Sequence, residues 1–139
     1  MHEYLDGPIL LPKKDNPNAH TGATLPLVMG HEMSGWVMEV GENVRDLTIG
    51  QRVTVNPCMG CHHHGGPLCE LCQQDRPNIC VRSTFYGINA PTGGFADEIV
   101  VKHIAVVPLP ETISLKAAAL AEPLAVAAHM VRISGIKSG

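Results

Sequence analysis

Basic excess, a secretory leader and a long apolar run are all missing from these 139 residues. The formal net charge is −3, which leaves no electrostatic footprint for nucleic acid or an anionic membrane surface. The opening stretch MHEYLDGPILLPKKDNPNAH lacks the charged start, apolar run and small-residue cleavage site of a secretory signal. No segment approaches the roughly 18 uninterrupted apolar residues of a membrane-spanning helix. Internal repeats are absent too, and three successive histidines are the only low-complexity run. These absences predict a soluble, cytoplasmic protein that binds neither nucleic acid nor membrane. Hydrophobic residues make up 45% of the chain, enough for one modest core, and the length argues for about one domain.

Residues 5 to 27 carry Pro8, Pro12, Pro17 and Pro26 among several Asn and Gly, and read as loop. SGWVMEVG (34–41) and GQRVTVNP (50–57) are β-rich runs bounded by glycine and proline, and read as neighbouring strands. STFYGI (83–88), FADEIVV (95–101) and IAVVPLP (104–110) repeat the pattern. Short strands at this spacing predict a small barrel. Ser114 then offers an N-cap to a short helix over about 114–120. Pro123 fits only a first turn, so a second helix is expected over about 123–134, with Gly135 as its end signal.

The stretch CHHHGGPLCELCQQDRPNIC, residues 61 to 80, has little hydrophobic periodicity and four cysteines. Disulfides, a structural metal and a catalytic metal compete to explain it. Five cysteines cannot all pair within one chain, and a reducing compartment disfavours disulfides. Cys69 and Cys72 form a C-x2-C unit, Cys80 follows after seven intervening residues, and either Cys58 or Cys61 completes a set of four. Four thiolates suit tetrahedral Zn²⁺ and leave no open position, which makes such a site structural. A redox dithiol would want a βαβ context, and a nucleic-acid knuckle would want basic residues where QQDRPN stands. His62, His63 and His64 are expected in a solvated loop.

A second constellation begins at Gly30-His31-Glu32 and continues as GHEMSGWVMEVGENVRDLTIGQRV; a third element is EPLAVAAH at 122–129. With HEYLDGPI near the start, the cysteine lobe and GGFADEIVV at 93–101, the pattern resembles the zinc-dependent medium-chain alcohol dehydrogenases, most closely the butanediol and sorbitol dehydrogenase branch. The resemblance implies a GroES-like β-barrel catalytic domain, mainly β with short helices. That domain would span 1–122, with a zinc lobe at about 57–82, and 123–139 would be a helical connection towards a Rossmann domain. The lobe cysteines of the family usually run C-x2-C-x2-C-x7-C; here HHHGG and its neighbours look like an insertion, and the register from Val55-Asn56-Pro57 favours Cys61 over Cys58. Cys61, Cys69, Cys72 and Cys80 would then hold the structural zinc.

The same resemblance implies that His31, Glu32 and Glu122 surround a catalytic zinc, Glu32 being a carboxylate that can exchange onto the metal or order its water. His2 matches the proton-relay histidine. The family's cysteine ligand would fall three residues before Met1, and ISGIKSG is where the first Rossmann strand would begin. The expectation is therefore a chain cut at both ends. No G-x-G-x-x-G is present, so no cofactor-binding residue can be named. The implied reaction is NAD(P)-linked oxidation of a secondary alcohol in a vicinal diol, as in (R,R)-2,3-butanediol dehydrogenases, by a protein that forms a homo-oligomer in its full-length relatives. A sorbitol or xylitol dehydrogenase and a non-catalytic, zinc-stapled barrel are the alternatives.

Overall fold

A computed structural model describes residue 5 and residues 7–137. The chain divides into two compact units: one of residues up to His31 plus Pro57–Ala105, the other of Glu32–Asn56 plus Val106 onward.

The second unit is built on a three-stranded antiparallel sheet. Strands β1 (Ser34–Trp36) and β2 (Arg52–Val55) pair with Gly35 opposite Val53, and β2 pairs on its other side with β5 (Val106–Pro108), Thr54 opposite Val107. The centre falls on β2 because RVTV is rich in β-branched residues, and Val53, Thr54 and Val55 are all buried. The β1–β2 connection is fixed by two backbone bonds, Val37 N–H to Gln51 C=O at 2.9 Å and Gly50 N–H to Val37 C=O at 2.8 Å. Burying Thr54 requires partners for its hydroxyl. It donates to the Met33 carbonyl at 2.8 Å and lies 3.3 Å from that of Ala118. Arg52 reaches the carbonyls of Glu111 and Ile113 and so straps the segment after β5 to the sheet.

Helix α3 (Leu115–Ala118) starts as its sequence predicts, with Ser114 Oγ accepting the Ala117 N–H at 3.1 Å. Helix α4 (Ala121–Ser134) begins two residues earlier than expected. Pro123 falls in its first turn, where the N–H groups have no intrahelical acceptor, and the Leu124 N–H makes a bond to Leu120 C=O at 3.1 Å. Gly135 ends the helix at φ 70°.

In the first unit a two-stranded ladder joins β3 (Cys58–Met59) to β4 (Thr84–Phe85). Between them lie α1 (Cys61–His64), α2 (Glu70–Gln73) and a 3₁₀ turn at Pro77–Ile79; a further 3₁₀ turn covers His103–Ala105. Residues 7–31 are mostly irregular, as their prolines predict. They are organised by Asn18, whose Oδ1 accepts the N–H groups of His20 and Thr21, each at 3.0 Å.

The mainly β layout with helices towards the carboxyl end stands, but the strands are shorter than the sequence suggests. The run 83–88 yields a strand only at Thr84–Phe85, and 95–101 is not a strand. Phe95 and Val100 are 80% and 86% exposed. Their apolar alternation has no buried face to satisfy, and among the described residues no strand pairs with them.

Candidate metal centres

The sulfurs of Cys61, Cys69, Cys72 and Cys80 all lie within 4.8 Å of one another, and none is in a disulfide. Local geometry brings them there. Cys69 caps α2 and Cys72 follows one turn later, so both face the same side. Cys61 opens α1, and Cys80 ends the 3₁₀ turn that Pro77 begins. Gly60 permits the closest approach: a Cβ there would meet the Cys80 Cβ at 3.2 Å.

The sulfur–sulfur separations are 3.5 Å for Cys61–Cys80 and 3.8 Å for Cys69–Cys80. Four sulfurs bound tetrahedrally to zinc at about 2.3 Å stand about 3.8 Å apart. Backbone donors face the group, Cys69 N–H to Cys61 Sγ at 3.4 Å and Arg82 N–H to Cys80 Sγ at 3.3 Å. Backbone N–H groups of Cys72 and Val81 hold the Cys69 thiol down at about 6, so it is ready to ionise. Burial pushes Cys72 up to about 12. Soft, partly ionised donors at this spacing fit zinc.

Cys58 lies outside this group. Its Sγ is 3.5 Å from Ser83 Oγ, and it sits opposite Phe85 in the β3–β4 ladder.

The three histidines depart from the solvated loop expected of them. They form α1, closed by N–H bonds from His63 and His64 to the Gly60 carbonyl at 2.9 and 3.2 Å. His62 is exposed, whereas His63 and His64 are half-buried. His63 Nδ1 accepts the Gly60 N–H at 3.3 Å, and its Nε2 is buried with no hydrogen-bond partner. His64 Nε2 is 3.0 Å from the hydroxyl of Thr84, a fully buried residue, and its ring lies 5.5 Å from that of His20. Burial, then Lys102, lowers the pKa of His63; burial, then His20 and Arg82, lowers that of His64. Placing Cys61 on a helical turn carries the following side chains back towards β4, and this is why the histidines are not free in solvent.

The second candidate set is placed in part. Glu32, just before β1, and Glu122, in the first turn of α4, are both in the second unit and bring carboxylate oxygens within 4.8 Å of each other. His31 is peptide-bonded to Glu32 and belongs to the first unit. His2 lies outside the described residues. What the sequence does not reveal is the set of N–H donors around the sulfurs, since backbone direction leaves no mark on residue type.

Three comparisons bear on these sites. The family model described as the alcohol dehydrogenase GroES-like domain matches residues 11–111. The (R,R)-butanediol dehydrogenase of Saccharomyces cerevisiae is 40% identical over 148 aligned residues, covering 100% of this chain and 39% of the yeast protein. The sorbitol dehydrogenase of Arabidopsis thaliana is 36% identical over 107 residues, covering 77% of this chain and 28% of its own. The crystal structure of 2R,3R-butanediol dehydrogenase from Bacillus subtilis matches with a TM-score of 0.85 and 40% identity, over 99% of this chain and 37% of that one. The chain spans well under half the length of these relatives.

Proposed function

We propose, given that this chain belongs to the alcohol dehydrogenase GroES-like domain family, that it provides the zinc-binding catalytic part of an NAD(P)-linked dehydrogenase for secondary alcohols of vicinal diols. The observation that carries this reading is 40% identity to a butanediol dehydrogenase across the whole of the chain. Relatives bound to NADP or complexed with NADH are among the similar structures, and they support the cofactor class.

Cys61, Cys69, Cys72 and Cys80 would hold a closed structural zinc, whose ligand set leaves no place for substrate. His31, Glu32 and Glu122 would hold the catalytic zinc, which when bound supplies a Lewis acid for the substrate oxygen. Glu32 would order water beside that oxygen or exchange towards the metal. His2 would carry the released proton towards solvent. The nicotinamide belongs to residues other than these, and 123–139 would lead towards the domain that binds it, leaving 1–122 as the catalytic domain with its lobe at 57–82. A cytoplasmic homo-oligomer is the setting that fits such a protein. Among the described residues no helix is long and apolar enough to cross a membrane.

A sorbitol or xylitol substrate is the second reading, favoured by the 36% identity to a sorbitol dehydrogenase. A chimera in which this chain replaces the matching segment of the Bacillus subtilis enzyme tests both. Formation of NADH from (R,R)-2,3-butanediol well above that from sorbitol is expected. The reverse order selects the polyol reading, and a folded, zinc-loaded chimera inactive on both overturns the proposal.

A further inference from the structure

Three glycines in the first unit meet at one crossing, immediately before His31. The Gly30 carbonyl accepts the Gly94 N–H at 2.8 Å, and the Met29 carbonyl accepts the Phe95 N–H at 2.8 Å. Gly30 itself has φ +97°, and a Cβ on it would meet the Phe95 ring at 2.9 Å. From the other side, a Cβ on Gly87 would stand 1.9 Å from the Gly30 oxygen and 2.4 Å from its carbonyl carbon. A Cβ on Gly93 would stand 2.3 Å from the Val28 oxygen and 2.7 Å from that of Met29. On the Gly87 and Gly93 side, segment 28–30 thus meets backbone alone, with no flexible side chain in the gap to yield.

The atom nearest to being struck is informative. Gly30's carbonyl carbon is bonded to the nitrogen of His31, so a side chain at Gly87 would relieve its clash by moving the peptide that carries His31, while one at Gly93 would push on the Val28 and Met29 carbonyls just upstream and on the Cα of Gly87, and so reach His31 through that segment. Packed interiors give little room for such a shift to be absorbed elsewhere. A ligand displaced by a fraction of an ångström loses the geometry that zinc requires.

We infer that Gly87 and Gly93 are positioning residues that fix His31 by close backbone packing against Val28–Gly30. The inference rests on the reading of His31 as a zinc ligand. Gly87 has φ +73°, so substitution there mixes strain with crowding, whereas no positive φ constrains Gly93 and Gly93→Ala tests crowding alone.

The experiment uses the chain with zinc in its lobe and titrates cobalt(II), following the His31 ring signals by NMR and amide exchange at Gly94 and Phe95. Gly93→Ala is expected to weaken cobalt binding at His31 by about 10-fold or more, to shift the His31 ring signals in the protein without cobalt, and to speed exchange of the two amides, with lobe zinc retained. Should Gly93→Ala fail to fold, Phe95→Ala serves, because that residue is 80% exposed and its loss costs little packing. It is expected to weaken cobalt binding by roughly 3-fold and to shift the same ring signals. Unchanged ring signals and unchanged cobalt affinity in a folded variant overturn the inference. If the unsubstituted chain takes up no cobalt through His31, the ligand reading fails instead, and the ring signals without cobalt still decide whether these glycines position it.

Discussion

Cys61 and Cys80, 19 residues apart in the chain, hold their sulfurs 3.5 Å apart. That proximity is made by the close approach of Gly60 to Cys80 on one side and by the Pro77 turn on the other. The first prediction follows from the two upstream cysteines. Cys61→Ser is expected to lower lobe zinc affinity by more than the roughly 10- to 100-fold that loss of an outer-shell partner costs, and to lower the unfolding temperature with it. Cys58→Ser, at a sulfur beside Ser83, should leave zinc content unchanged. Metal analysis after dialysis against a chelator reads both.

Thr84 has no solvent exposure, and its hydroxyl is 3.0 Å from His64 Nε2. Thr84→Val keeps the shape and removes the hydroxyl, leaving the ring nitrogen without that partner. A loss of about 1 to 3 kcal/mol is expected, since an abandoned polar group costs its desolvation. Denaturant unfolding of zinc-loaded protein measures it. A change near zero would mean that water replaces the hydroxyl at the ring.

The pH response of the lobe should carry a histidine component. His64 has a pKa below its ordinary 6.5, through burial first and then His20 and Arg82, with Lys102 adding to the effect. The unfolded chain therefore binds more protons in this range. Stability from the neutral ring is complete above the ordinary value and is lost as pH falls through the folded one. Unfolding temperature should drop between about pH 7.5 and pH 5.5, and His64→Gln should flatten part of that slope at equal zinc loading. Equal slopes in the two proteins would contradict this.

Glu122 has two available roles, as a first-turn carboxylate favoured by the helix dipole and as part of a metal shell beside Glu32. In the chimera described above, Glu122→Gln should lower turnover by at least about 10-fold with lobe zinc intact. A capping role predicts near-normal turnover and a stability loss of about 0.3–1 kcal/mol.

Local signals were legible in the sequence and non-local ones were not. The C-x2-C unit and the Pro77 turn specify their own geometry over a few residues, so Cys69, Cys72 and Cys80 follow from spacing, while the choice of Cys61 over Cys58 comes from the family register. Ser114 and Gly135 mark helix ends by the same short-range logic. FADEIVV reads as a strand because alternation is a property of one segment, whereas a strand needs a partner that the segment does not encode. The histidines looked like loop because three polar residues beside glycines carry no sign of a buried threonine 20 residues later. The crossing of Gly30, Gly87 and Gly93 is non-local in the same way: each glycine alone reads as a turn, and only the fold shows that together they hold the residue before His31.

Zinc-edge X-ray absorption on the purified chain tests the central claim, that residues 61 to 80 form a closed four-thiolate site within this GroES-like domain. The account predicts a tightly held ion with four sulfur neighbours at about 2.3 Å. A first shell with nitrogen from the His62–His64 turn in place of one sulfur, or a chain that folds and retains no zinc, would contradict it.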